Sequence, residues 1–147
     1  MRKYIFVFGL TVVLWGFGAT EANAQVSTQN VLKRLSAVVE KLEGQGAQVL
    51  FIQVDAIKQE QLSTQTYALQ GGSTYAVVAV GDEDRIQDID LAVADEAGDL
   101  AGKDTDDSNL AVVKFKSSET QMYKFGVKGY KMNKKDGFFA IVVARLP

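Results

Sequence analysis

The sequence contains neither cysteine nor histidine. Without cysteine there can be no disulfide, no thiolate metal site and no lipid-accepting thiol near the N-terminus, so the fold rests on its core alone. Without histidine the side chain most used as general base near neutral pH is missing, and Ser-His-Asp and Cys-His triads are excluded. No Gly-x-Ser-x-Gly or Ser-x-x-Lys arrangement offers a replacement. The glycines fall at turns and form no phosphate-cradling loop ahead of a helix. A twelve-residue EF-hand pattern is also absent. Past the N-terminal segment, no apolar run is long enough to span a bilayer.

What is present begins with an export signal. Arg2 and Lys3 precede an apolar run from Ile5 to Phe17, and Ala22-Asn23-Ala24 supplies a small-x-small cleavage site. Residues 1–24 are therefore expected to be removed before Gln25; the alternative is an uncleaved N-terminal anchor. The remaining chain of about 120 residues has the length of one domain, and a domain of this size buries roughly two thirds of its unfolded surface. The expected compartment is the bacterial periplasm or the cell exterior, with no transmembrane segment once the signal is cut. A formal net charge of -2 argues against nucleic acid as a partner.

From Thr28 to Glu43 the residues Val31, Leu32, Leu35, Val38, Val39 and Leu42 recur at helical spacing, with Lys33, Arg34, Glu40 and Lys41 on the other side. Ser27 or Thr28 can cap this helix, and Gly44 and Gly46 can end it. Its stripe either packs on its own domain or serves a membrane surface or partner; the mixed signs of the polar face favour packing. After the helix the period becomes two. Val49–Val54 fits strand or helix, with a lean to strand. Leu62–Leu69 leads into the turn Gln70-Gly71-Gly72-Ser73, and Tyr75–Val80, apolar on both faces, is expected to be a central strand. Ile89, Leu91 and Val93 alternate with Asp90, Ala92 and Ala94 before a turn at Asp95–Asp99. Val113 and Phe115, then Tyr123, Phe125 and Val127, alternate with lysines, and Phe138–Ala144 is a continuous apolar run after a turn at Asp136-Gly137. The expected fold is mainly β: an antiparallel, jelly-roll-like β-sandwich of six to eight strands over residues 47–147, preceded by one amphipathic N-terminal helix over residues 25–46, the two forming one globular unit.

Three stretches resemble the bacterial prepeptidase C-terminal domains. They are Leu69-Gln70-Gly71-Gly72-Ser73-Thr74-Tyr75-Ala76-Val77-Val78, Asp88-Ile89-Asp90-Leu91-Ala92-Val93-Ala94-Asp95-Glu96-Ala97-Gly98, and Gln121-Met122-Tyr123-Lys124-Phe125-Gly126-Val127. They correspond to a glycine turn before a core strand, a D-x-D-L strand ending in D-x-x-G, and a tyrosine-bearing strand. Thr120-Gln121 stands where the family often has glycine. The resemblance leaves out the helix, and it implies a β-sandwich used as a non-catalytic accessory, secretion-linked or ligand-binding module.

The strongest local bias is acidic, because Asp82–Asp107 holds 11 of the chain's 18 carboxylates. If the strands between form a hairpin around Glu96-Ala97-Gly98, Asp84, Asp88 and Asp90 meet Asp104 and Asp106 at one end of the sandwich. Those five are the candidate ligands of a calcium ion, which takes six to eight hard oxygens without strict angles. The plainer reading is that they form turns and solvated loops. Lys124, Lys128, Lys131, Lys134 and Lys135, interleaved with Phe125 and Tyr130, either meet an anionic partner or edge the strands against mispairing. The expected function is that of a non-catalytic exported binding or accessory module, with calcium in the acidic loops as its candidate stabiliser and an unknown protein or cell-envelope ligand as its partner. The alternative is a structural or assembly subunit that self-associates through the helix and the opposed charge patches. A hydrolase using carboxylates alone is the third reading.

Overall fold

The change of period along the chain becomes a change of element. The structure, a computed structural model, describes the backbone of residues 18–147 and the side chains of residues 28–147; residues 1–17, which hold most of the expected export signal, lie outside the described residues. Helix α1 (Gly18–Gly44) precedes eight strands: β1 (Gln48–Lys58), β2 (Leu62–Leu69), β3 (Thr74–Gly81), β4 (Ile86–Ala94), β5 (Leu100–Asp104), β6 (Leu110–Lys116), β7 (Gln121–Met132) and β8 (Asp136–Arg145). Among the described residues no helix is long and apolar enough to cross a membrane.

α1 begins upstream of its apolar stripe because Ala19, Ala22 and Ala24 are strong helix formers. The expected cleavage site lies within this upstream part. At the other end Gly46 adopts a φ of 80°. The Ala47 N–H then reaches the Leu42 carbonyl (3.0 Å) and the Gly46 N–H the Glu43 carbonyl (2.9 Å), which satisfies two orphan carbonyls of the last turn.

The strands form two four-stranded antiparallel sheets, β1-β8-β3-β6 and β2-β7-β4-β5. Val49–Val54, open between helix and strand by sequence, is a strand within β1, with a register shift between Val49 and Phe51 against β8. Between the sheets lies the main core, where Tyr75, Val77, Phe139 and Ile141 of one meet Leu91, Val93, Phe125 and Val127 of the other. A second, thinner core joins α1 to the outer face of the first sheet. There Val31, Leu35 and Leu42 pack with Ala76, Val78, Ala140 and Val142. Apart from Leu32, which is exposed, the helix stripe thus packs on its own domain, and β3, interior to its sheet, is apolar on both faces because it is covered on both.

Two sequence-based expectations need correction. Asp136-Gly137 does not form the last turn: both residues lie within β8, paired with Lys58 and Ile57, and the chain reverses at Asn133–Lys135. Gly137 is needed there for space, since a Cβ would stand 2.8 Å from Ile86 Cγ1. The lysines of β7 do not guard an edge either, because β7 runs inside its sheet; Lys124 and Lys128 sit on an uncovered sheet face. Lys114 and Lys116 do occupy an edge strand, β6.

Candidate functional site

The site grows from a break in the alternation of β4. Register shifts flank Asp88, between Ile86 and Asp88 and again between Asp88 and Ile89. Such a bulge re-aims a side chain, and here Ile86, Asp88 and Ile89 are all buried while Gln87 faces solvent. The 105–109 segment, which carries the chain from β5 to β6, is pinned beside it: the Ile89 N–H donates to the Ser108 carbonyl (2.8 Å) and the Ser108 N–H to the Asp106 carbonyl (2.7 Å). Asp88, Asp90, Thr105, Asp107 and Tyr130 then line a pocket of about 260 Å³.

Asp88 is only 5% exposed, and among the described residues its Oδ1 has no hydrogen-bond partner. Burial pushes its carboxyl above the ordinary value of 3.8; Asp107 and Asp104 push the same way, against the Ser108 N–H and Lys131. Burial also raises Asp90, with Asp88 adding to it and Lys128 opposing. Lys128 itself pairs with Glu60, and its ammonium stands 5.4 Å from the Tyr130 ring centre. The pocket is therefore a place where negative charge has been packed closer than it would settle in water.

Of the five sequence-based candidates, the structure brings only Asp88 and Asp90 to this pocket. Asp104 lies beside it and is engaged: Oδ1 accepts the Asp106 N–H (3.1 Å) and Oδ2 the Val112 N–H (2.7 Å). It thereby ties the end of β5 to the edge strand β6 of the other sheet. Asp106 is exposed on the loop. Asp84 sits at the helix, accepting from Asn30 Nδ2 (2.7 Å). Among the described residues no three acidic side chains gather closely enough to hold a metal ion unaided. Thr105, Asp107 and Tyr130 are the lining residues that lay outside the candidate set. Asp107 is one residue from Asp106 in the same acidic run, Tyr130 stands out in sequence only among the C-terminal lysines, and Thr105 gives no signal of its own.

The nearby Asp82 is fully buried and serves a turn. Its Oδ1 accepts the Asp84 N–H (3.1 Å), its carbonyl takes the Arg85 and Ile86 N–H groups, and Arg85 Nε stands 3.8 Å from Oδ2. Burial raises its carboxyl above the ordinary value. Turn chemistry of this kind accounts for the first part of the acidic run.

The chain is a β-sandwich similar in fold to pre-peptidase C-terminal domains. The pre-peptidase C-terminal domain of a collagenase from Bacillus anthracis superposes with a TM-score of 0.51 at 14% identity, over 63% of this chain and 87% of that one. PliG, a periplasmic inhibitor of g-type lysozyme from Aeromonas hydrophila, matches with a TM-score of 0.48 at 14% identity, over 68% and 88%. A CBM4 structure matches with a TM-score of 0.41 at 11% identity, over 72% and 82%. At these identities the likeness is one of fold. No family model matches the sequence, and no curated protein matches it.

Proposed function

We propose that this chain is a non-catalytic, exported accessory module whose acidic pocket takes a calcium ion that rigidifies the end of the sandwich. The observation that carries the reading is the unpartnered, buried Oδ1 of Asp88, a residue that lines a pocket with Asp90, Asp107 and Thr105. A buried acceptor without a donor costs about 1–3 kcal/mol, and a hard cation removes that cost. Asp88 and Asp90 would supply charged oxygens and Thr105 a hydroxyl, with carbonyls and water completing the shell that calcium needs. Exported accessory use rests on the N-terminal signal pattern and on the fold, with the chain's partner a protein or a cell-envelope ligand.

Melting the protein in chelator and in millimolar calcium tests the metal. At a calcium concentration 100 times Kd the fold gains about 2.7 kcal/mol, a rise of several degrees in Tm. Asp88→Asn is expected to abolish that rise. Identical melts in chelator and in calcium overturn the proposal.

A further inference from the structure

The outer face of the first sheet is buried over β8 and β3 and open over the edge strand β6. α1 lies chiefly over β8, with lesser contact to β1 and β3. In the order β1-β8-β3-β6, strand β6 is two places from β8, about 9–10 Å at the usual strand spacing. That distance matches the 8–10 Å between packed helices, so a second helix over β6 would lie at packing distance from α1. In its place the structure has a groove of about 310 Å³. The floor is Ala76 and Val78 of β3, one wall is Val38 and Leu42 of α1, and the rim is Leu110 and Val112 of β6. These two rim residues are 37% and 36% exposed, although their neighbours Ala111 and Val113 are buried.

Two observations narrow the occupant. The first is hydrogen bonding along β6. The Val112 N–H is already taken by Asp104 (2.7 Å) and the Leu110 N–H by Ser108 Oγ (3.2 Å). An added strand would have to displace both, so this edge disfavours strand addition and leaves the face as the surface to use. The second is charge. Every charged side chain lining the groove and its continuation toward Ala37 is cationic: Arg34, Lys41 and Lys114. Arg34 is occupied in joining α1 to the Gly81 carbonyl (2.5 Å) and to Asn109 Oδ1 (2.7 Å). Lys41 and Lys114 are exposed, and among the described residues neither forms an ion pair. In a chain of net charge -2, a rim of one sign selects an acidic partner.

We propose that this groove receives an amphipathic helix of a partner protein. It lies beside α1, with a small apolar face on Val38, Leu110 and Val112 and with carboxylates meeting Lys41 and Lys114. The proposal does not depend on the acidic pocket. The probe is a labelled helical peptide of about four turns, with alanine and leucine on one face and glutamate along the flanks. A control peptide carries lysine in place of glutamate. Fluorescence anisotropy with the purified protein is expected to show saturable binding of the glutamate peptide that weakens with salt, and binding of the lysine peptide about tenfold weaker or less.

The double variant Lys41→Glu, Lys114→Glu is expected to reduce affinity for the glutamate peptide by about tenfold or more and to improve it for the lysine peptide. Both positions are exposed, so its melting curve stays with that of the parent and separates lost binding from lost folding. Val112→Asp is expected to abolish binding of either peptide. Equal affinity for the two peptides, no saturable binding, or indifference to the charge reversal overturns the proposal. So does displacement of the peptide by dodecanoate, which would make the occupant a small amphiphile. A dimer in light scattering that the double variant dissolves would make it a second copy of this chain, and would overturn the proposal too.

Discussion

Sheets β1-β8-β3-β6 and β2-β7-β4-β5 send alternate residues into the same inner core, yet their outer faces are unlike. The first carries Ala76, Val78, Val80, Ala140 and Val142 under α1. By register, the second carries Thr64 and Thr66 of β2 beside Gly126 and Lys124 of β7, then Ala92 and Ala94 of β4. Strands β8 and β7 are both interior to their sheets, but only β8 carries an unbroken apolar run, Phe138–Ala144. What separates them is the third layer. A strand covered on one face needs alternation, and a strand covered on both needs none.

The sharpest way to break this comparison is to place one charge on each outer face. Val142→Asp puts a carboxylate at a fully buried position beneath the helix and is expected to cost about 4 kcal/mol or to prevent folding. Thr66→Asp, on the exposed face of the other sheet, is expected to stay within about 0.5 kcal/mol of the parent. Urea unfolding measures both. Comparable losses would show that the second outer face is covered as well.

A smaller effect is expected at the helix seam. Leu35 is buried against the outer face of the first sheet, and Leu35→Ala is expected to cost about 2–3 kcal/mol through lost burial and an incompletely refilled cavity. A loss under about 0.5 kcal/mol would mean that the helix contributes little to the stability of the sandwich.

The smallest expected change has the opposite sign. Asp88→Asn removes a buried charge and its repulsion with Asp107 and Asp104 while keeping an oxygen for the Ser108 N–H, so in chelator at neutral pH it is expected to stabilise by about 1 kcal/mol. The pH dependence follows the raised carboxyls of Asp82, Asp88 and Asp90. The folded state holds these protons to higher pH than the unfolded chain does. Their stabilising contribution is therefore fully present below the unfolded value near 3.8 and is lost as pH rises through the folded values. Melting curves between about pH 4 and 7 should show a shallower dependence for Asp88→Asn than for the parent. Parallel curves would mean that Asp88 titrates as an ordinary exposed carboxyl.

By itself the sequence determined the helix, most of the strands and the layered architecture, because periodicity is a local signal that burial leaves on most elements. The helical rhythm of Val31, Leu35 and Leu42, the two-residue rhythm of Tyr123, Phe125 and Val127, and the doubly apolar Tyr75–Val80 each announced how many of their faces would be covered. Tertiary structure alone decided which carboxylates meet. A bulge turned Asp88 inward, a cross-sheet hydrogen bond drew Asp104 to Val112, and the helix took Asp84. It also decided that α1 would lie over β8 and leave the β6 side open, since lateral placement on a sheet depends on where Arg34 and Asn30 find their partners across the fold, and no local pattern in the chain encodes that distance.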